Sequence, residues 1–233
     1  MSETHQAVFL FDVDDTLLDN DRMKSDLGDY VAATFGDAAR DELWTLYEEQ
    51  RDKHGYADFL GTLERFRLAH IEDPRVLSLA NWIIDYPFVE RLFPDALAAV
   101  RYVSKWGLPV ILTDGDGVYQ PHKLERAGLI AAFGGRVLNY VHKQKELDAV
   151  KRAFPAQHYV LIDDKLSVLD AVKHTWGDAV TTVFPRQGHY ANDPSKLKDL
   201  PPADIEIARI ADLMMHDFGP ICGLRGSKEE IDP

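Results

Sequence analysis

Apolar residues along this chain follow two different periods. Ala7-Val8-Phe9-Leu10-Phe11 is a short unbroken apolar run that stops at a cluster of acids. Its length and its aromatic and β-branched content predict a buried strand. From about residue 18 to 92 the spacing turns helical. Leu27, Tyr30, Val31, Thr34 and Phe35 fall on one helical face, and Gly36 follows as a stop. Leu43, Leu46, Tyr47 and Gln50 form a second stripe and Phe59, Leu63 and Phe66 a third. Val76, Leu79, Ala80, Ile83 and Ile84 form a fourth, which Pro87 closes. All four read as faces packed into a core.

After Pro94 strands and helices alternate. The pattern predicts a helix over 95–105, a strand over 108–113, a helix near 121–127 and a strand over 136–141. A helix near 145–154, a strand over 159–163, a helix near 167–176 and a strand over 179–184 follow. Residues 185–203, rich in Pro, Asp and Lys, read as loop. An edge strand over 204–207, a helix through Met215 and a polar, frayed tail from Gly219 complete the chain. Such alternation implies parallel strands joined by crossover helices. The expected fold is therefore α/β, a Rossmann-like three-layer core with a parallel sheet and an inserted all-helical domain. The core would comprise residues 1–17 and 93–233, and the insert residues 18–92.

Composition narrows the functional classes. The 233 residues suffice for a main domain plus a smaller one, and 45% hydrophobic with 28% charged content fits a globular protein. A formal net charge of -13 opposes binding to phosphate backbones or anionic lipid. Nucleic acid and membrane are therefore not expected partners, although a local cationic pocket could still take a small anion. The single cysteine, Cys222, reads as a spectator thiol. The first apolar run is too short for a signal sequence or a membrane span, which points to the cytoplasm. Nothing in the sequence speaks to an oligomeric state.

Three predicted strands end in polar residues: Asp12-Val13-Asp14-Asp15-Thr16, Thr113-Asp114-Gly115-Asp116-Gly117 and Asp163-Asp164-Lys165. Ligands of open parallel sheets bind beyond the carboxyl ends of the strands, so the three clusters should converge. Several carboxylates at close range cannot all stay ionised without compensation. An all-oxygen set lacking a His/Cys cluster suits Mg²⁺ and disfavours zinc. Some of these acids could instead cap helices, Asp15 and Asp116 above all, with Asp114 open to either role. Thr113 and backbone N–H groups around Gly115 could receive an anion. Lys143 or Lys145 could add a positive charge.

Here the residues resemble a known family. Asp12-Val13-Asp14-Asp15-Thr16 after an apolar strand resembles the DxDxT motif of the haloacid dehalogenase (HAD) superfamily. Ile111-Leu112-Thr113, Lys143 and Leu161-Ile162-Asp163-Asp164 resemble its later motifs, in order. The long gap after the first motif resembles the family's helical C1 cap. The run Thr113-Asp114-Gly115-Asp116, with Gln120, Lys123-Leu124 and Ala127-Gly128-Leu129 after it, is similar to that C1 group. The resemblance implies a Mg²⁺-dependent phosphohydrolase acting on a small phosphorylated substrate. Asp12 would be the nucleophile and Asp14 the general acid and base, with Thr113 and Lys143 holding the phosphoryl group. Asp12, the Asp14 carbonyl, Asp164 and Asp163 would surround the metal, and Thr16, Asp114 and Gly115 would border the substrate. Thr16 would orient Asp14 or bond its own turn. Two departures stand out: Asp163 replaces the usual glycine, leaving open which acid touches the metal, and no proline follows the motif-three lysine. Lys145 rivals Lys143, and Lys123 reads as a helix-surface residue. Arg22, His54 and Tyr56, and beyond the last strand Arg186, Gln187, His189 and Tyr190, are candidates for the pocket mouth. Asp14 argues against dehalogenation, which needs no leaving-group acid. Mutase action and a non-catalytic binding role on the same fold stay open.

Overall fold

The computed structural model describes residues 4–223, so the part of the polar tail beyond 223 lies outside the described residues. Strand β1 (His5–Phe11) is followed by four helices: α1 (Asn20–Phe35), α2 (Asp37–His54), α3 (Phe59–Ala69) and α4 (Val76–Ile84). Then α5 (Ala96–Val103), β2 (Leu108–Asp114), α6 (Tyr119–Arg126), α7 (Leu129–Ala132) and β3 (Val137–Tyr140) alternate. They lead into α8 (Leu147–Ala153), β4 (Ala156–Ile162), α9 (Leu166–Trp176), β5 (Val180–Pro185) and β6 (Ile205–Ile207).

The six strands form one parallel sheet in the order β3-β2-β1-β4-β5-β6. Both faces are buried, which is why β1 reads as an unbroken apolar run rather than an alternating one. Ala7, Phe9 and Phe11 enter one core with Val100 and Val103 of α5 and Ile210 and Leu213 near the chain's end. Val8 and Leu10 enter the other with Val150 of α8 and Leu169 and Val172 of α9. The result is the expected three-layer α/β architecture.

The four helices after β1 match the four stripes. Asp19 starts α1 by accepting the Arg22 N–H at 2.8 Å, and Gly36 ends it with φ +97, a conformation glycine adopts without strain. Their buried residues include Leu27, Val31, Leu43, Tyr47, Phe59, Leu63, Phe66, Leu79 and Ile83, whereas Ile84 at the end of its stripe is 41% exposed. The chain enters and leaves this insert side by side: Leu18 and Leu92 form an antiparallel bridge, and the Asp19 N–H donates to the Arg91 carbonyl at 2.7 Å.

Two segments differ from expectation. Residues 185–203 are not plain loop but hold two short helices, α10 (Gly188–Asn192) and α11 (Pro194–Leu197). Asp193 caps α11 at the Ser195 N–H (2.8 Å), with Pro194 in the first turn, where its missing N–H costs nothing. Their shortness leaves no periodicity to detect. The segment after β6 is a 3₁₀ helix, Ile210–Met215, rather than an α-helix. No helix among the described residues is long and apolar enough to cross a membrane.

Candidate active site

Strand order brings the chemistry together. β1 lies between β2 and β4, so Asp12, Thr113 and the Asp163–Asp164 pair emerge at neighbouring strand tips. This is the crevice where connections diverge to the two halves of the sheet. The Asp12 N–H still donates to Ile162 O (2.9 Å), fixing the side chain at the sheet's edge. The chain then turns tightly, the Val13 carbonyl accepting N–H groups from Thr16, Leu17 and Leu18. Asp15 takes the left-handed conformation, φ +60, which aspartate tolerates better than most residues.

Of the two rival lysines, the geometry favours Lys143. It is 1% exposed, its Nζ donates to Asp12 Oδ1, and the same ammonium lies 2.7 Å from Asp163 Oδ2. Its backbone N–H donates to Asp114 Oδ1 at 2.7 Å. Burial alone would lower the Lys143 pKa, but Asp12, Asp163 and Asp114 raise it, so the side chain stays charged. Lys145 is exposed.

The acids separate into satisfied and unsatisfied groups. Carboxylate oxygens of Asp12, Asp163 and Asp164 all lie within 4.8 Å of one another. Asp163 is engaged in part: its Oδ1 accepts the Lys165 N–H at 2.8 Å, and its Oδ2, without a hydrogen bond, lies 2.7 Å from the Lys143 ammonium. Asp12 Oδ2 and both oxygens of Asp164 are buried with no donor. Burial pushes the Asp12 carboxyl above its ordinary value against the pull of Lys143, and pushes Asp164 well above, against Lys165. Buried carboxylate oxygens without donors, at this spacing, fit a hard divalent cation. A second acidic group, Asp15–Asp21–His189, is different. Asp15 Oδ1 accepts the N–H groups of Asn20 (2.9 Å) and Asp21 (3.0 Å), and His189 Nδ1 lies 2.6 Å from Asp21 Oδ1. It closes a helix start, as the capping reading of Asp15 anticipates.

Lys123 requires a correction. It is not a surface residue: it is 1% exposed, and its Nζ donates to both Asp14 oxygens at 2.5 and 2.7 Å. The signal was in the sequence. Tyr119, Leu124 and Ala127 mark the buried side of α6, and Lys123 lies next to them. Thr16 is also placed differently. Its hydroxyl is fully buried and accepts the Asp164 N–H at 3.1 Å, tying the β1 turn to the β4 turn rather than orienting Asp14 or facing a ligand. The Gly115 N–H is not open to an anion, because it donates to Tyr140 O at 2.8 Å in the continued β2–β3 pairing. Its missing side chain matters instead, since a Cβ there would lie 2.7 Å from Gln120 Cβ. Gln120 donates to Thr113 Oγ1 at 3.0 Å, leaving the threonine proton for another acceptor. Asp116 caps α6, accepting from the Val118 and Tyr119 N–H groups.

Above the strand tips lies a cleft of about 300 Å³ between sheet and helical insert. Asp14 and Asp114 reach it, and so do two of the residues expected at the pocket mouth, Tyr56 and Tyr190. His54, Arg22 and Arg186 do not line it. Arg22 pairs with Asp26 and Arg186 with Glu206. Gln187 is structural, donating to the Thr16 carbonyl at 3.1 Å. Lys24, Tyr47, Arg51 and Lys165 also line the cleft; the sequence marked Lys165 only as part of a strand-end cluster and Tyr47 only as a core position, and nothing local marked Lys24 or Arg51. They come from α1, α2 and the β4 turn, which only folding brings together.

An acid-tipped strand, a buried lysine and clustered carboxylates thus meet under a helical insert at the rim of a parallel α/β sheet. The chain belongs to the haloacid dehalogenase-like hydrolase family, whose model matches residues 7–172. It is similar to the crystal structure of a protein from Burkholderia xenovorans LB400 described as haloacid dehalogenase-like. That match has 48% identity and a TM-score of 0.85, covering 91% of this chain and 96% of that one. A HAD-hydrolase from Bacillus subtilis bound to magnesium shares the fold at 15% identity and TM-score 0.61, covering 90% of this chain and 97% of that one. An L-2-haloacid dehalogenase from Xanthobacter autotrophicus shares it at 16% identity and TM-score 0.57, covering 89% and 96%. No curated protein sequence matches the chain.

Proposed function

We propose that this hydrolase cleaves small phosphate monoesters with Mg²⁺, through an aspartyl-phosphate on Asp12. The observation that carries the reading is the donorless set Asp12 Oδ2, Asp164 Oδ1 and Asp164 Oδ2, buried at the strand tips. Displacing a halide has no use for such a cation site, whereas transferring a phosphoryl group does. Asp12 and Asp164 would hold the metal, with Asp163 and the Asp14 carbonyl beside them. When bound, the metal would neutralise charge on the phosphoryl oxygens and align them with Asp12.

The chain's own groups account for the rest. Lys143 fixes Asp12 by one oxygen, and Asp12 attacks phosphorus while the bond to the ester oxygen breaks. Asp14, 23% exposed at the cleft, is the acid: its carboxyl takes up a proton, leaves Lys123 and gives that proton to the departing oxygen. In the second step Asp14 takes a proton from water. The water oxygen joins phosphorus, and the bond to Asp12 breaks, releasing phosphate. Thr113, oriented by Gln120, and the Lys143 ammonium bind the transferring oxygens, each donor worth on the order of 3 kcal/mol in such sites. The helical insert, residues 18–92, acts as a cap that swings about the paired Leu18 and Leu92 segments and excludes water.

The test is p-nitrophenyl phosphate and a panel of phosphate monoesters, with Mg²⁺ and with EDTA, on wild type and Asp12→Asn. Expected is Mg²⁺-dependent phosphate release that the variant loses. Chloride release from 2-chloropropionate, with no phosphate release from any ester, would replace this reading by dehalogenation.

A further inference from the structure

The cleft's charges are unevenly satisfied, in a way the phosphoryl site does not explain. Its acids have partners: Asp14 has Lys123, Asp15 has two backbone N–H groups, and Asp114 Oδ1 has the Lys143 N–H. Its cations are less well supplied. Among the described residues Lys24 and Lys165 have no carboxylate within 4 Å; Lys24 Nζ sits 5.7 Å from the centre of the Tyr47 ring and Lys165 Nζ 5.1 Å from that of Tyr190. Arg51 gives one nitrogen to the half-exposed Glu48 and the other to Tyr190 Oη, at 2.7 Å. Asn20, 4% exposed at the same cleft, has an amide oxygen without a donor. Asp15 and Asp21 act on Lys24, and Asp12 and Asp164 on Lys165, only from beyond ion-pair contact, so each ammonium keeps donors that a ligand anion in the cleft can take.

Position separates their tasks. Lys165 follows the Asp163–Asp164 pair and belongs to the phosphoryl end. Lys24 on α1 and Arg51 on α2 come from the insert, and Arg51 donates to Tyr190 Oη. We propose that Lys24 and Arg51 form a subsite for a second anionic group, a carboxylate or a second phosphate, on the leaving-group side of the substrate. Asn20 adds an amide and Tyr47 and Tyr190 form the walls. This rests on the phosphohydrolase reading for the position of the first anion. The preferred substrates are then short phosphorylated acids or bisphosphates, not phosphorylated neutral alcohols.

Three esters of one carbon length test it: propyl phosphate, 3-(phosphonooxy)propanoate and propane-1,3-diyl bisphosphate. Turnover is measured on wild type, and binding by calorimetry on Asp12→Asn alone and combined with Lys24→Met or Arg51→Met. Two separate variants guard against one that fails to fold. Expected is at least tenfold tighter binding of one or both doubly anionic esters than of propyl phosphate, a gap that narrows severalfold in each double variant. The member of the pair that binds tighter identifies the second anion. Equal binding of all three esters, no binding, or a gap that neither variant narrows would overturn the subsite. A binding gap without turnover of any ester would uphold the subsite and overturn the phosphohydrolase reading. Equal turnover of all three esters would do the reverse.

Discussion

Asp164 concentrates the physics of the site in one residue. Both its oxygens are buried without a donor, and burial raises its carboxyl well above 3.8. A carboxyl raised in the fold keeps a proton that the unfolded chain has released. The stability linked to it is present at low pH and is lost as pH rises through the folded value. The contribution of this group to the stability of metal-free protein should therefore be smaller near pH 8 than near pH 5. Mg²⁺ should add more stability at the higher pH, because it replaces the proton. Asp164→Asn should unfold at higher urea than metal-free wild type near pH 8, by about 1–3 kcal/mol, and gain nothing from Mg²⁺. Equal Mg²⁺ increments in both proteins would remove Asp164 from the metal.

At the scale of elements, α6 couples the site to the sheet. Its first turn is anchored by Asp116, and Gln120 and Lys123 project from it to Thr113 and Asp14. Gly115 permits the close approach of Gln120 that makes this alignment possible. In the proposed mechanism Lys123 would be a positioning residue, holding Asp14 without touching the reacting atoms. Lys123→Met should lower kcat about 10–100-fold while changing KM little, and should alter the pH profile of kcat. A loss confined to KM would point to a role in binding instead. A parallel fall in urea midpoint and activity, with an unchanged pH profile, would reduce Lys123 to a structural residue.

Across the whole molecule, the helical insert meets the sheet through a few directional contacts. Arg51 reaches Tyr190, His189 reaches Asp21 through both its backbone N–H (2.7 Å) and its ring, and His122 reaches the Ile84 carbonyl at 2.8 Å. Phe59 and Phe88 pack on Tyr119 across the same boundary. Partly exposed polar contacts contribute little to global stability, about 0–1 kcal/mol each, but they bias how closely the insert sits. His189→Ala should leave urea unfolding within about 1 kcal/mol of wild type yet raise KM severalfold for phosphate esters. An unchanged KM would show that this contact does not hold the insert over the cleft.

Local rules were enough for the order and type of the longer elements, though not for the short helices α10 and α11. A five-residue apolar run with aromatic and β-branched residues, bounded by acids, favours a strand buried on both faces, and four helical stripes before an alternating pattern leave helices inserted between strands of a parallel sheet. They also placed Asp12, Thr113 and the Asp163–Asp164 pair at neighbouring strand tips, because residues at the carboxyl ends of parallel strands gather at the sheet's rim. Local rules failed wherever a side chain's partner lies far along the chain. Lys123 meets Asp14 across 109 positions and Thr16 meets the Asp164 amide across 148. Lys143 and Lys145 share one short 3₁₀ turn, which holds Lys143 in the crevice and leaves Lys145 in water. Sequence period determines which face of an element is buried; which buried groups then meet depends on strand order and helix crossing, and these are set by packing the whole chain at once.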